Sequence, residues 1–251
     1  MYMRIERIES FIRRKVREAG ARGVVVGLSG GVDSAVVAAV CTRALGRSKV
    51  TALILPESET ASRRNIDDAK KLAKSLGIRC NRVDFSPVYD EFRKILPPFS
   101  ERALIPNGNL KARIRMCILY YFANRRKLLV AGTGNRSEIM MGYFTRYGDG
   151  GVDFLPIGGL YKTEVKRLAQ QLGIPRWIID KKPSPGLWRG QTAEEELGID
   201  YKKLDKILAG IGRKSDARLA EEMGLKEKAI SGIRERIKLM RFKCEMPEVG
   251  R

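Results

Sequence analysis

Histidine is absent from the 251 residues of the chain. No imidazole is therefore available as a general base or as a metal ligand, so any chemistry must use carboxylates, lysines, hydroxyls or a metal ion. Cysteine is scarce too, and the absence of any CxxC pair argues against a zinc site. Cys41 and Cys117 fall in apolar helical patterns and are predicted to be buried thiols. The other two cysteines are Cys80 and Cys244.

Long apolar runs are missing as well, although hydrophobic residues make up 43% of the chain. No segment is long enough to span a bilayer. The first residues, from Met1 to Glu6, carry charges and lack the apolar core of a signal peptide. We therefore expect a cytoplasmic protein that does not contact a membrane. A chain of 251 residues with this hydrophobic content fits one α/β domain.

Acidic residues are outnumbered, since 29 Asp and Glu face 49 Lys and Arg, and the formal net charge is +20. Such a balance suits nucleic-acid binding, small polyanionic substrates, or the charge-rich surface of a heat-adapted protein. The basic residues are scattered along amphipathic helices and form no basic arm or low-complexity tail. Nucleic-acid binding therefore ranks below the other two interpretations.

The most informative stretch is a β-branched run, residues 24–26, that ends in a glycine-rich turn before an alanine- and valine-rich helix. This order brings backbone N–H groups and the positive end of a helix to one point, which favours phosphate binding. Asp33 would repel a phosphate, and a bridging Mg²⁺ would resolve the conflict. The alternative is a tight turn in which serine and aspartate only cap the helix. The predicted phosphate loop consists of Gly27, Leu28, Ser29, Gly30, Gly31, Val32, Asp33 and Ser34.

Beyond this loop, the spacing of apolar residues predicts strands that alternate with helices, which indicates a parallel, doubly wound sheet. Pro97 and Pro98 are predicted to break a short helix, and residues 106–108 to form a turn before Asn109 caps a long helix. The further predicted strands span residues 50–55, 78–83 and 127–131. The predicted helices span residues 4–19, 33–45, 63–76, 86–96, 109–124 and 162–172.

A second glycine-rich turn, residues 132–135, follows the fourth predicted strand, and Ser137 is predicted to cap the helix behind it. Ligands bind at the carboxyl ends of strands in such sheets. The two turns that carry Asp33 and Glu138 are therefore predicted to lie at the same rim of the sheet, although Glu138 taken alone is most simply an acid that suits the start of a helix. Residues 143–154 combine aromatic, charged and glycine residues without a helix or strand period, and are predicted to form a binding loop.

The first loop resembles the pyrophosphate loop of the ATP pyrophosphatase superfamily, and two later stretches narrow the resemblance. They read GTGNRSE at residues 132–138 and GYFTRYGDGGVD at residues 142–153. Together with the loop, they resemble the ammonia-dependent NAD synthetases. This resemblance implies a doubly wound parallel sheet of five strands, of the adenine nucleotide alpha hydrolase type. It also implies one domain over residues 1–251, with a helical C-terminal region from about residue 190 and no glutaminase domain.

The reaction that this resemblance implies joins deamido-NAD, ATP and ammonia. The nicotinate carboxylate attacks the α-phosphorus of ATP and releases pyrophosphate, and ammonia then displaces AMP from the acyl adenylate to give NAD. The resemblance also implies a Mg²⁺ cofactor and a homodimer. Free ammonia is the expected nitrogen source, unless a separate glutaminase docks to the protein.

The same resemblance assigns roles to individual residues. Asp33, Lys162 and Ser184 would be catalytic, and Asp33 and Glu138 would bind the metal ion. ATP would contact residues 27–34 together with Thr133, Lys162 and Ser184. Deamido-NAD would contact Arg113, Arg146, Asp153, Phe242 and Lys243. Two of these residues depart from the family pattern, because Arg146 replaces a common lysine and Phe242 a common histidine.

Three alternatives stay open. Another pyrophosphate-loop enzyme, such as a GMP-synthetase-like subunit, would share the first loop but is expected to lack residues 142–153. A tRNA-modifying pyrophosphatase would suit the net charge of +20, although its thiolating relatives use paired cysteines that this chain lacks. A non-catalytic nucleotide-binding module is disfavoured, because both candidate metal carboxylates are present.

Overall fold

The structure is a computed structural model that describes residues 2–96, 100 and 102–250. The predicted helix break at Pro97 and Pro98 lies outside the described residues. The strands are β1 (Val24–Gly27), β2 (Val50–Ile54), β3 (Arg79–Arg82) and β4 (Leu129–Val130). The helices are α1 (Tyr2–Glu18), α2 (Val32–Leu45), α3 (Arg63–Leu76), α4 (Ser86–Ile95), α5 (Leu104–Arg126), α6 (Arg136–Met140), α7 (Lys162–Gln171), α8 (Arg176–Ile179), α9 (Ala193–Leu197), α10 (Tyr201–Gly210), α11 (Asp216–Met223) and α12 (Glu227–Met240). Two 3₁₀ turns span Arg47–Lys49 and Arg241–Cys244.

The described strands form one parallel sheet in the order β3-β2-β1-β4, which confirms the predicted α/β class. The chain moves outward from β1 to β3 and then returns to the other side of β1. The gap between β1 and β4 is therefore the topological switch point, where ligands bind in doubly wound sheets.

The predicted count of five strands is wrong for the described residues, because the sheet has four. At the fifth position, Phe154 makes a single parallel bridge to Ala131 beyond β4. The Gly132 amide donates to the Phe154 carbonyl at 2.9 Å, and the Asp153 amide donates to the Val130 carbonyl at 3.0 Å. Pairing stops there because the chain enters turns rich in glycine and proline just after Phe154.

The sheet is covered on both faces, as a parallel sheet requires. Val24 and Val26 of β1 belong to the large apolar cluster under α1, α2 and α7. Val25 points the other way, into a smaller cluster with Leu53 and Ala123. This alternation explains why the β-branched run has no polar residue, since each side chain meets a packed helix.

Helix α5 begins earlier than predicted, because residues 106–108 lie inside it and form no turn. Pro106 is tolerated because amides in the first turn of a helix have no partner within the helix. The predicted cap at Asn109 is therefore wrong. Cys117 on the same helix is exposed, which corrects its prediction as a buried thiol. Cys41 is buried as predicted, and burial raises its pKa to about 12.

A buried ion cluster joins the end of β2 to α5. The Lys111 ammonium pairs with Glu57 at 2.8 Å and with Glu59 at 2.7 Å, and the exposed fractions of the Lys111 and Glu57 side chains are 2% and 1%. The ammonium also lies 4.6 Å from the centre of the Tyr89 ring. Burial acts to raise the pKa of Glu57, but hydrogen bonds from Lys111 and from the Glu59 amide outweigh it and lower that pKa. The cluster holds the β2–α3 loop against α5 at the carboxyl end of the sheet.

We expect Lys111→Met to lower the free energy of unfolding by roughly 3–5 kcal/mol, because it leaves the buried Glu57 carboxylate without its counter-charge. Urea unfolding followed by circular dichroism measures this loss. Arg125→Met, which removes an exposed cation from the same helix, is the control. The double variant with Glu57→Gln should recover part of the loss. An unfolding midpoint equal to that of the control would contradict the role of the cluster.

Candidate active site

The loop after β1 is held by its own hydroxyl groups. The Ser34 hydroxyl donates to the Gly31 carbonyl at 3.0 Å and accepts from the Ser29 amide at 3.2 Å, and the two serine hydroxyls are 3.0 Å apart. Gly30 has a φ of +80°, and a Cβ there would lie 2.4 Å from the Asn65 carbonyl oxygen. Only glycine fits this position, which brings the loop backbone tight against the start of α3.

The turn of residues 132–135 places the start of α6 beside the phosphate loop. Asn135 caps α6, because its side-chain oxygen accepts from the Glu138 backbone amide, and its own backbone amide donates to the Glu138 carboxylate, which completes a capping box. Asn135 is therefore the cap, and the prediction that Ser137 has this role is wrong. The Ser137 hydroxyl is buried, donates to Asp205 at 2.5 Å and accepts from the Lys162 amide at 3.0 Å.

Asp33 and Glu138 meet at one ammonium group across the switch point. Lys162 Nζ forms an ion pair with Asp33 and lies 3.5 Å from Glu138 Oε1. The Asn135 side-chain Nδ2 donates to the other Asp33 oxygen at 3.0 Å. The exposed fractions of the side chains are 4% for Lys162, 19% for Asp33 and 20% for Glu138. The structure thus brings together the two carboxylates that the sequence predicts to lie at the same rim of the sheet.

The electrostatics of this cluster leave an excess of negative charge. Burial raises the pKa of Glu138 to about 7, Lys162 opposes that rise, and Asp33 adds to it. Burial acts to lower the pKa of Lys162, but the two carboxylates outweigh burial and raise that pKa. One ammonium therefore serves two carboxylates, and a further cation would be favourable between them.

The donor set fits a hard divalent cation. Mg²⁺ prefers oxygen ligands, and it is bound through one or two carboxylates together with substrate phosphates and water. Asp33 and Glu138 supply two such carboxylates. In the part of the chain that the structure describes, no group of three or more Asp, Glu, Cys or His side chains could hold a metal ion. Phosphate oxygens and water would supply further ligands.

The other two residues predicted to contact ATP lie in turns. Thr133 belongs to the turn after β4 and is half-buried. Ser184 is exposed, and its hydroxyl accepts a hydrogen bond from the Gly186 amide at 3.1 Å. Its segment reaches the phosphate loop through Lys181, which donates to the Gly30 carbonyl at 2.9 Å. Contact of either hydroxyl with ATP stays a prediction.

Three of the residues predicted to bind deamido-NAD gather on one surface. The Arg113 guanidinium donates to the Arg146 carbonyl at 3.4 Å. The Arg146 guanidinium lies 5.0 Å from the centre of the Tyr147 ring and 5.6 Å from the centre of the Phe242 ring. Guanidinium groups beside aromatic rings suit a ligand with phosphates and a flat heterocycle.

The other two predicted substrate residues hold the loop of residues 143–154 in place. Asp153 accepts hydrogen bonds from the Val130 amide at 2.6 Å and from the Tyr120 hydroxyl at 3.0 Å. Lys243 donates to the Gly142 and Phe144 carbonyls at 2.8 and 3.0 Å. Both side chains therefore have structural partners, and their contact with a substrate stays a prediction.

Asp205 is a site residue that the sequence reasoning missed. It is 4% exposed, and its two oxygens accept from the Ser137 hydroxyl and, at 2.8 Å, from the Thr163 amide. It thereby satisfies an amide at the start of α7 that has no partner within that helix. No local signal marks it, because an aspartate in an amphipathic helix is ordinarily exposed. Asn135 was also missed, although Asn followed three residues later by Glu is a capping-box signal.

Residues 4–247 match the family model described as NAD synthase. The chain belongs to the NAD synthase family. It is 49% identical over 250 residues to the NH(3)-dependent NAD(+) synthetase of Archaeoglobus fulgidus, which covers 98% of this chain and 96% of that protein. It is 54% identical over 205 residues to that of Methanocaldococcus jannaschii, which covers 81% and 79%. The predicted family is thereby confirmed.

Two solved structures match the whole architecture of the chain. The NMN synthetase from Francisella tularensis gives a TM-score of 0.87 at 33% identity and covers 99% of this chain and 98% of its own. An NH3-dependent NAD synthetase from Campylobacter jejuni, in complex with the nitrate ion, gives 0.83 at 34% identity and covers 100% and 98%. The fold described above is therefore that of the family.

We expect Asp205→Asn to lower kcat by roughly 10- to 100-fold, because α7 shifts and misplaces Lys162. If the amide keeps its bond to Ser137, its NH₂ group faces the Thr163 amide, and the free energy of unfolding should fall by about 1–3 kcal/mol. Asp200→Asn is the control. Asp200 caps the same helix, and asparagine caps a helix as well as aspartate does. Steady-state kinetics equal to those of the control would refute this role.

Proposed function

We propose that this member of the NAD synthase family amidates deamido-NAD with ammonia in an ATP-dependent reaction that yields NAD, AMP and pyrophosphate. The observation that carries the proposal is the meeting of Asp33, Glu138 and Lys162 beside the loop of residues 27–34. A nicotinate carboxylate and a triphosphate are both anions, so a site that adenylates the carboxylate must neutralise charge as it builds up. This arrangement supplies the groups for that task.

In the proposed mechanism, the loop amides and the N-terminus of α2 bind the phosphates of ATP. Asp33 and Glu138 hold Mg²⁺, which supplies positive charge to phosphate oxygens when it is bound. The Lys162 ammonium has three protons, so it can hold Asp33 and also donate to a phosphate oxygen. Thr133 and Ser184 donate hydroxyl hydrogen bonds to ATP. Charge neutralisation lets the nicotinate carboxylate reach the α-phosphorus, and ammonia then displaces AMP.

For deamido-NAD we propose the surface of Arg113, Arg146 and Phe242. The two guanidinium groups pair with its phosphates, and the Phe242 ring, 52% exposed, stacks on a flat ring of the substrate. Asp153 and Lys243 hold the loop that carries Arg146, and we propose that both also contact deamido-NAD. The replacement of a common histidine by Phe242 then exchanges a hydrogen bond for a stacking contact.

A homodimer, a cytoplasmic location and the use of free ammonia by a single domain belong to the same proposal. Exposed apolar side chains at the end of α4 and along α5 support an interface there, among them Ile95, Ile105 and Tyr121 at 66%, 67% and 60% exposure. Within residues 2–96, 100 and 102–250, no helix is both long and apolar enough to cross a membrane.

A second candidate substrate is the corresponding mononucleotide. The Francisella protein is named an NMN synthetase, and its similarity covers 99% of this chain with a TM-score of 0.87. The adenylation and amidation would be the same on either substrate. The difference lies in whether the AMP half of the dinucleotide is bound.

The deciding experiment supplies ATP, Mg²⁺ and ammonium with either deamido-NAD or nicotinate mononucleotide. We expect NAD from deamido-NAD, with equal amounts of AMP and pyrophosphate, at a kcat/KM above that for the mononucleotide. A preference for the mononucleotide would establish the second candidate. Release of ADP and phosphate would overturn adenylation itself.

We expect Asp33→Asn to lower activity by about 10³-fold or more and to weaken Mg²⁺-dependent ATP binding, because it removes a charged metal ligand beside the phosphates. Asp67→Asn, an exposed aspartate on α3, is the matched control. Product formation and calorimetric titration with Mg-ATP provide the two measurements. Wild-type activity in Asp33→Asn would rule out the metal role.

We expect Arg146→Ala to raise the KM for deamido-NAD by about tenfold or more, since a charge-assisted contact to the substrate is worth at least about 1.4 kcal/mol. The KM for ATP should stay close to that of the wild type. Arg146→Lys, which restores the charge found in many relatives, should recover much of the loss. An equal effect on both substrates would contradict the assignment of Arg146 to deamido-NAD.

A further inference from the structure

One lysine ties the segment that carries Ser184 to the phosphate loop. Lys181 Nζ donates to the Gly30 carbonyl at 2.9 Å and to Asn65 Oδ1 at 2.8 Å, and it pairs with Asp68 Oδ2 at 2.6 Å. The ammonium thus donates two hydrogen bonds and forms one ion pair, all with protein atoms. The side chain therefore has a defined position at the junction of the loop, α3 and residues 181–190.

The Lys181–Asp68 pair is largely removed from water. The exposed fractions of the side chains are 17% for Lys181 and 7% for Asp68. A carboxylate at that depth needs its counter-charge, and removing one partner of such a pair leaves a strongly unfavourable buried charge. The contact is thus unlike a surface ion pair, and its loss would let the segment move away from α3.

The contact lies at the tightest point of the phosphate loop. Gly30 already lies so close to Asn65 that a Cβ would be 2.4 Å from the Asn65 carbonyl oxygen. Lys181 bonds to both of these residues, so its ammonium holds the loop and α3 together at this point. At the far end of the segment Arg189 donates to the Glu59 carbonyl at 3.0 Å, so both ends of the segment contact the rest of the protein.

We propose that Lys181, through its ion pair with Asp68, is a positioning residue for ATP binding: it sets Gly30 in the phosphate loop and brings Ser184 to the same rim. The inference depends on the proposed function in that ATP is the ligand. Lys181 acts on the loop backbone and not on a phosphate, because its ammonium donates to the Gly30 carbonyl and to Asn65 while Asp68 already balances its charge.

Asp68→Asn separates positioning from direct contact. If Lys181 works by holding the junction, weakening its ion pair loosens the loop, and Asp68→Asn impairs ATP binding in the same direction as Lys181→Met. If Lys181 instead contacts phosphate, removing the competing carboxylate frees its charge, and Asp68→Asn binds ATP as well as the wild type or more tightly. Lys182→Met is the matched control, since Lys182 is the exposed neighbour and its loss changes the net charge equally.

The experiment uses the full chain and measures Mg-ATP affinity by calorimetry, kcat and both KM values. We expect Lys181→Met and Asp68→Asn each to weaken ATP binding by about tenfold, equivalent to about 1.4 kcal/mol. The KM for deamido-NAD should stay within about twofold of the wild-type value. General unfolding would not weaken ATP binding while leaving this KM unchanged. The double variant should be no worse than Lys181→Met alone, because the two changes remove one interaction.

A second readout needs no nucleotide. Limited trypsin digestion after Arg189 should be faster in Lys181→Met and in Asp68→Asn than in the wild type or Lys182→Met, because the untied segment opens more often. If the wild type binds no ATP, the proposed function fails. Digestion then still tests whether Lys181 holds the segment of residues 181–190 in place. If Lys181→Met does not fold, the double variant, which leaves no unpaired carboxylate, takes its place. Unchanged ATP affinity in both single variants, or unchanged digestion, would overturn the inference.

Discussion

The candidate site depends on one buried ammonium that serves two carboxylates. Lys162 lies between Asp33 and Glu138, and all three side chains are largely withdrawn from water. Buried charges are tolerated only when they are paired, so each of these residues constrains the positions of the other two. One ammonium balances only one of the two carboxylates, and burial together with the Asp33 charge raises the pKa of Glu138. The protein therefore holds, at the switch point of its sheet, a place where more positive charge and an anionic ligand are favourable together.

This arrangement is maintained from outside the sheet. Asp205 on α10 binds the starts of both α6 and α7 through Ser137 and Thr163. The helices after residue 190 are thus part of the support for the site, since they supply the hydrogen bonds that orient Glu138 and Lys162. The same principle operates at Gly30 of the phosphate loop, where Lys181 joins the loop and α3 to the Ser184 segment. Rigid placement of charged groups in this way lowers the reorganisation that a reaction requires.

Much of the fold was predictable where a local pattern is specific. The glycine-rich loop after a β-branched strand predicts a phosphate site because its geometry needs few residues. The sequence predicts too short a helix α5, because Pro106 suggests a turn, whereas the first turn of a helix accepts proline. Ser137 was assigned as the cap of α6, although Asn135 holds that place. The prediction of a fifth strand is wrong for the described residues, because pairing beyond β4 ends after one residue, Phe154.

The sequence by itself determined the alternation of strands and helices, the phosphate loop and the family, because each is carried by contiguous residues with strong local preferences. Only the tertiary structure decided which distant side chains share a charge. Asp33 and Lys162 lie 129 positions apart, and Ser137 and Asp205 lie 68 apart. No periodicity encodes such pairs, because they arise from the packing of helices around the switch point. The tertiary structure likewise decided that Lys243 and Asp153 hold a loop, since each has backbone partners within reach.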